Sequence, residues 1–151
     1  MARLSSLRSD LTKEKVGVWV AWELGIRFRI ARMNNPSYDE AVREALRPHR
    51  DRIRRGVMDE REIERLSLQA VGTHILTGWE NVEGDDGMSI PYSPEKAVEI
   101  LGDARYREVY DFVVDVSRRS ALYRVQERED DLGNSQPASA GTSSGGSTPS
   151  S

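Results

Sequence analysis

The sequence contains no cysteine and few of the residues that build common metal sites. Of its 151 residues, none is cysteine and two are histidine. The absence of cysteine excludes a structural disulfide and a thiolate zinc site. The histidines, His49 and His74, form no HxxxH or HExxH pattern. We interpret His49 as a surface residue and His74 as a packed or half-buried one, and we expect no metal and no other cofactor.

Long apolar runs and phosphate-binding glycine motifs are also absent. No stretch approaches the roughly 20 apolar residues that span a bilayer, and the N-terminus lacks the apolar region of a secretory signal. Neither GxxxxGK[ST] nor GxGxxG occurs. No nucleophile–base set stands out either, and Asp-Asp-Gly at 85–87 has turn chemistry rather than calcium-loop spacing. These absences predict a cytoplasmic protein that is not an enzyme.

Charge is distributed unevenly along the chain. The net charge is -3, but residues 1–55 carry an excess of basic residues and residues 56–151 an excess of acidic ones. A chain polarised in this way can stack head to tail or bind a partner of mixed charge, although both sets could equally be solvated faces. The densest basic segment, 43–55, could track phosphates or pair with acidic helices. The pI of about 5.5 argues against a dedicated nucleic-acid binder.

Composition divides the chain into three parts. Residues 133–151 carry no charge and no large apolar side chain, so we predict a disordered tail there. Residues 1–15 are interpreted as an N-terminal arm, and 16–132 as the folded domain. A single domain of this size can bury a modest core.

The first folded element is predicted to be a β-hairpin. Residues 16–22 (VGVWVAW) and 26–32 (IRFRIAR) are rich in β-formers, and Glu23–Gly25 supplies the turn. Two tryptophans three apart in a strand point to opposite faces. Because Trp22 shares the face of the alternating valines, Trp19 is predicted to be the exposed one.

Four or five helices are predicted to follow, which gives an α+β fold. Each predicted helix has a start signal. The starts are Ser37 with Glu40, Asp59 with Glu62, Ser93 with Pro94, and Asp103. Pro48 and Gly56 are expected to interrupt the first helical region, Gly78 to end the second helix, and the last helix to run to about residue 131.

Several short segments, in this order and spacing, resemble the tail assembly chaperones of phages with long, flexible tails. The central segments are 75–82 (ILTGWENV), 85–87 (DDG) and 90–95 (IPYSPE); further matches are 17–20, 30–32, 35–36, 46–50, 110–113 and 127–131. The resemblance covers about residues 16–132. Each segment alone is common, and the specificity lies in their order and spacing.

The resemblance implies a binding protein without catalytic activity. Members of that family keep the tape measure protein soluble and help to recruit tail tube subunits, and they are absent from the finished virion. In many members a ribosomal frameshift makes a longer form that recruits tube protein; for this chain that form is a hypothesis. The resemblance thus implies the tape measure protein and the tail tube protein as partners, in the host cytoplasm. The composition separately predicts no membrane partner and argues against nucleic acid.

Seven residues are candidates for contacts with a partner or with other copies of the chain. Exposed aromatic and arginine side chains are the usual anchors of interfaces. The candidates are Trp19, Phe28, Arg29, Arg50, Arg54, Trp79 and Tyr92. Two other functions stay open: a virion structural subunit, such as a tail terminator or connector protein, and a regulator that binds nucleic acid through residues 43–55.

Overall fold

The computed structural model describes residues 1–126. Within them, the α+β class and the N-terminal hairpin followed by helices are confirmed. The predicted tail, 133–151, and the predicted end of the last helix, 127–131, lie outside the described residues. The chain divides into two compact units, of which residues 10–123 form the larger. The predicted boundaries after residues 15 and 132 stay a prediction.

Among the described residues, 1–9 and 124–126 belong to the smaller unit. A 3-10 turn spans Leu4–Leu7. Ser9 and Arg124 form an isolated antiparallel bridge, and the Val125 amide donates to the carbonyl oxygen of Arg8. The 3-10 turn was not predicted from the sequence.

The larger unit contains a three-stranded antiparallel sheet with the order β1-β2-β3. The strands are β1 (Val18–Ala21), β2 (Arg27–Ile30) and β3 (Leu76–Glu80). Leu24 and Gly25 adopt left-handed conformations in the turn between β1 and β2, as the sequence signal predicted. An isolated hairpin is marginally stable in water, and the third strand provides a partner for β2.

The third strand corrects the expectation that a helix runs on to Gly78. The helix ends at His74, and the backbone then pairs with β2. Burial explains the change, because Leu76 and Trp79 both enter the core from this strand. Gly78 lies opposite Arg29, whose side chain lies over it, so this glycine allows close approach rather than ending a helix.

Six α-helices occur in the described chain, and their start signals explain most of their boundaries. Asp59 and Ser93 accept hydrogen bonds from the amides of Glu62 and Lys96, as predicted. Asn35, rather than Ser37, caps the helix that begins at Pro36, because its Oδ1 accepts from the Tyr38 amide. The helices are α1 (Leu11–Val16), α2 (Pro36–Leu46), α3 (Arg50–Arg54), α4 (Glu60–His74), α5 (Pro94–Leu101) and α6 (Arg107–Ser117).

The last helical region differs from its prediction. Asp103 caps a 3-10 turn at Ala104–Tyr106 that leads into α6, and α6 ends at Ser117 rather than near residue 131. Another 3-10 turn, Ser120–Tyr123, follows. The side chain of Tyr123 is fully buried, and its hydroxyl donates to the carbonyl oxygen of Ile30 at 2.9 Å. The chain therefore turns after α6 and returns to the sheet.

The core lies between the sheet and the helices α4, α5 and α6. It consists of aliphatic and aromatic side chains from all of these elements. Its buried members are Phe28, Ile30, Val71, Ile75, Leu76, Trp79, Ala97, Leu101, Val113 and Val116. Helices α4 and α5 approach closely at Gly72, where an added Cβ would lie 2.7 Å from Val98 Cγ2. We call this side of the sheet its inner face.

Candidate functional site

An apolar groove of about 430 Å³ opens between the sheet, the loop after β3, and helices α5 and α6. Its size falls within the range of protein binding sites. Apolar side chains from all these elements form its floor. They are Trp22, Ile26, Phe28, Leu76, Trp79, Val82, Ile90, Ile100 and Val109.

One wall of the groove is fixed by hydrogen bonds and ring contacts. Residues 83–89 form a small hairpin, with a bridge between Glu83 and Ser89, as the turn signal at Gly87 predicted. The indole N–H of Trp79 donates to the carbonyl oxygen of Ile90 at 2.7 Å. Tyr92 packs edge-on against Trp79, with ring centroids 5.0 Å apart. Contacts within the chain therefore hold this apolar wall in place without a partner.

The Tyr92 hydroxyl connects this wall to helix α4 and to strand β3. It lies 2.9 Å from the carbonyl oxygen of Gly72 and 2.7 Å from that of Leu76, and donates to them. Burial raises the pKa of Tyr92, with a smaller opposing effect from Arg29. The hydroxyl is therefore a structural donor.

Trp22 and Phe28, which line the groove, form a cluster of three rings with Phe112. Trp22 stacks on Phe112 at 5.1 Å between centroids and lies 5.9 Å from Phe28 in a tilted arrangement. Phe28 and Phe112 are 6.2 Å apart. These distances suit aromatic pairs, which contribute stability beyond the burial of their area. The cluster joins the hairpin to α6.

Charged side chains surround the apolar floor, and most are acidic. The acidic rim consists of Glu83, Asp85, Glu99, Asp103 and Glu108, and the rim also contains Lys96 and Arg105. Both basic residues bind rim acids: Lys96 lies 3.3 Å from Glu99, and Arg105 lies 2.7 Å from Asp103. In the part of the chain that the structure describes, Glu83, Asp85 and Glu108 form no ion pair. The rim is therefore net negative.

Asp103 is held in its ionised form by Arg105. Hydrogen bonds from the Arg105 side chain, and then from its backbone amide, lower the pKa of Asp103 to about 2. The same carboxylate caps the 3-10 turn at Ala104–Tyr106. Its negative charge is thus permanent at neutral pH and belongs to the scaffold of the rim.

The outer face of the sheet has a different character. Trp19 is 39% exposed, as predicted, and the guanidinium groups of Arg27 and Arg29 lie 5.1 and 5.7 Å from its ring centroid. Arg27 also pairs with Glu80 at 2.7 Å. Arg29 donates to the hydroxyl and the carbonyl oxygen of Thr77. This face is a basic and aromatic surface whose side chains are already held in place.

The seven predicted contact residues occupy three separate places. Phe28 and Trp79 form a cross-strand pair on the floor of the groove. Tyr92 packs edge-on against the Trp79 ring. Phe28 is only 4% exposed, so most of its surface serves the core rather than a partner. Trp19 and Arg29 share the outer face, whereas Arg50 and Arg54 are exposed on α3. Whether any of them binds a partner stays a prediction.

Sequence reasoning missed the rim and seven of the nine floor residues, since only Phe28 and Trp79 were among the predicted contacts. Most of the missed residues lie after β3, in the loop and in the segment that forms α5 and α6, which are distant in sequence from the hairpin. The loop with Asp85 and Gly87 was noticed as a turn, but its position beside the groove depends on the unpredicted strand β3. The uneven distribution of charge along the chain was the available signal for an acidic surface.

Two features are absent from residues 1–126. No group of three or more His, Asp or Glu side chains there could hold a metal ion. No helix in that range is long and apolar enough to cross a membrane.

The chain folds as a small α+β protein with an apolar groove, and a sequence comparison places it in a family. Residues 33–134 match the family of the YdaY prophage protein, and the chain belongs to this family. It is therefore a phage-related protein. No curated protein and no solved structure shows significant similarity to the chain.

Proposed function

We propose that this protein is a phage tail assembly chaperone that binds an amphipathic helix of the tape measure protein in its groove. The observation that carries the proposal is the preformed apolar groove with its acidic rim. Membership of a prophage family supports a role in a phage. The resemblance of residues 16–132 to tail assembly chaperones supports the chaperone function in particular.

The groove defines the chemistry of the client. An amphipathic helix that enters an apolar groove buries side chains at helical spacing. Here the floor supplies Ile, Val and Trp side chains, and the rim presents unpaired carboxylates at Glu83, Asp85 and Glu108. The matching client segment has an apolar stripe flanked by lysine or arginine.

Covering such stripes would keep a long helical protein soluble. Exposed apolar stripes cause aggregation until another protein covers them. Each copy of this small chain covers only a short segment, so many copies would act together along one client and gain avidity. In this proposal the protein works in the host cytoplasm without catalytic activity, helps to recruit tail tube protein, and leaves before the virion is complete.

The test is co-expression with the tape measure protein of the same prophage. We expect the tape measure protein to become soluble and to co-elute with many copies of this chain. Val109→Arg, which places a charge on the floor, should abolish the effect. Val114→Arg on the same helix, outside the groove, is the matched control and should retain it, and thermal unfolding should show that both variants fold.

Three results would overturn the proposal. The tape measure protein could stay insoluble in the presence of the wild-type chain. The two arginine variants could behave alike. The chain could be found as a stoichiometric component of purified particles, which would identify it as a structural subunit such as a tail terminator or connector.

A further inference from the structure

We propose that one copy of this protein docks a basic hook into the acidic groove of a second copy, and so covers the groove when no client is bound. The basic hook is residues 47–57: the 3-10 turn Arg47–His49, helix α3 and the turn that ends at Val57. The inference uses the proposed client groove, but the contact forms between copies and does not depend on which client fills the groove.

The hook has more positive charge than its own neighbours neutralise. It contains five arginines and one acidic residue, Asp51. Three of the arginines already form ion pairs, which are Arg47 with Glu44, Arg52 with Glu62, and Arg54 with Asp51. Within the described residues, Arg50 and Arg55 form none, although the Arg55 side chain donates to the Asp51 carbonyl oxygen.

The tip of the hook also presents an apolar side chain to solvent. Val57 is 59% exposed, directly after Gly56, whose left-handed backbone ends the helical region. An exposed apolar side chain beside unpaired arginines is the pattern that the groove would accept, since its apolar floor is ringed by carboxylates.

The groove complements this pattern in both respects. Glu83 and Glu108 are exposed rim carboxylates without an ion pair in the described chain, and they line the same groove as the apolar side chains of the floor. No residue of the hook lines the groove of its own chain. Because the two surfaces are different parts of the chain, their contact is heterologous, and copies would join head to tail.

Docking of the hook would regulate access to the groove. A basic client helix and the hook of a neighbouring copy would compete for the same carboxylates and the same floor. Without a client, the protein would then form short, reversible head-to-tail oligomers. A client that binds the groove would dissociate them by mass action. Because the charges are exposed, the oligomers should weaken as salt screens them.

Charge reversal of the full-length chain tests the contact directly. One variant carries R50E/R55E, and a second carries E83R/E108R. We expect wild-type chains to self-associate in sedimentation velocity, and each variant to associate on the order of tenfold more weakly. The equal-parts mixture of the two variants should regain association, because both contacts between them are again opposite in charge. A single chain with all four substitutions should regain it too.

The matched control is R61E/R119E, which reverses two exposed arginines outside the hook and the rim, and should leave association unchanged. All the substituted residues of the hook and rim are exposed, so circular dichroism and melting should show that the variants fold. The proposal is overturned if the wild type is monomeric at all concentrations, if the control weakens association equally, or if neither the mixture nor the fourfold variant restores it. All of these measurements omit the client, so a failed co-expression test would leave this result interpretable.

Discussion

The two faces of the small sheet use tryptophan in opposite ways. Trp79, on the inner face, is 8% exposed and donates from its indole N–H to the Ile90 carbonyl oxygen. Trp19, on the outer face, is 39% exposed and is flanked by two guanidinium groups. Both stand beside β2, yet one belongs to the core and the floor of the groove, and the other to the surface.

The difference shows how strand alternation assigns roles in this protein. Successive side chains of a strand point to opposite faces, so β2 sends Phe28 and Ile30 inward and Arg27 and Arg29 outward. Burial of the inner side chains stabilises the fold, whereas the exposed ion pairs of the outer side chains stabilise it only slightly. The inner face therefore stabilises the fold and also lines the groove, whereas the outer face is exposed. Substitutions on the outer face should change stability less than substitutions on the inner face.

The largest expected effect comes from Trp79→Ala. Removing this buried ring leaves a cavity beside Phe28 and Tyr92, and large-to-small changes of this kind cost about 3–5 kcal/mol. The free energy of unfolding, measured in urea, should fall by that amount. Trp79→Phe keeps a ring but loses the hydrogen bond to Ile90, so its loss should be intermediate. A loss below about 1 kcal/mol for the alanine variant would contradict the assignment of this face to the core.

A smaller loss is expected from Tyr92→Phe. The substitution keeps the ring that packs against Trp79 and removes only the donor to the carbonyl oxygens of Gly72 and Leu76. Removing one partner of such a hydrogen bond costs about 1–3 kcal/mol. Tyr106→Phe, which changes an exposed ring, is the control and should be neutral. Equal losses in the two variants would mean that the hydroxyl of Tyr92 does not stabilise the wall of the groove.

Alkaline pH should weaken the helical side of the core gradually. Burial, and then the negative charge of Glu64, raise the pKa of Tyr110 to about 12. The folded pKa is higher than the unfolded value near 10, so stability is complete below about pH 10 and is lost as pH rises toward 12. Urea midpoints at pH 9 and 11 should show the decrease, and Tyr110→Phe should reduce it. An unchanged slope in that variant would exclude Tyr110 as a contributor.

Local signals in the sequence predicted the hairpin, most helix starts and the exposure of Trp19. These features depend on neighbours a few residues apart, such as the cap formed by Asp59 and the turn at Gly25. The third strand was missed because Gly78 resembles a helix end, and its pairing with Arg29 is a contact between distant segments. The end of the last helix was missed for the same reason, since Tyr123 is fixed by a hydrogen bond to Ile30.

The candidate site was harder to predict than the fold. Its floor combines β2, β3, α5 and α6, so no window of the sequence contains it. The aromatic candidates Phe28 and Trp79 were chosen because aromatic side chains commonly anchor interfaces. The carboxylates of the rim could not be separated from other surface acids, because only the tertiary structure places Glu83 and Glu108 around the same floor.

The smallest expected effect, and the sharpest test of the comparison, is Trp19→Ala. Its ring is partly solvated, and contacts between cations and an exposed ring contribute only about 0.5–1 kcal/mol. The shift in the urea midpoint should therefore be less than a third of the shift for Trp79→Ala. The slope of the free energy of unfolding against urea concentration should stay unchanged. A loss near that of Trp79→Ala would show that the outer face is structural.

The same variant also tests the outer face as a contact surface. If stability is kept but the tape measure protein loses solubility in co-expression, the outer face is a second contact surface, because an exposed ring that adds little to folding can still anchor a partner.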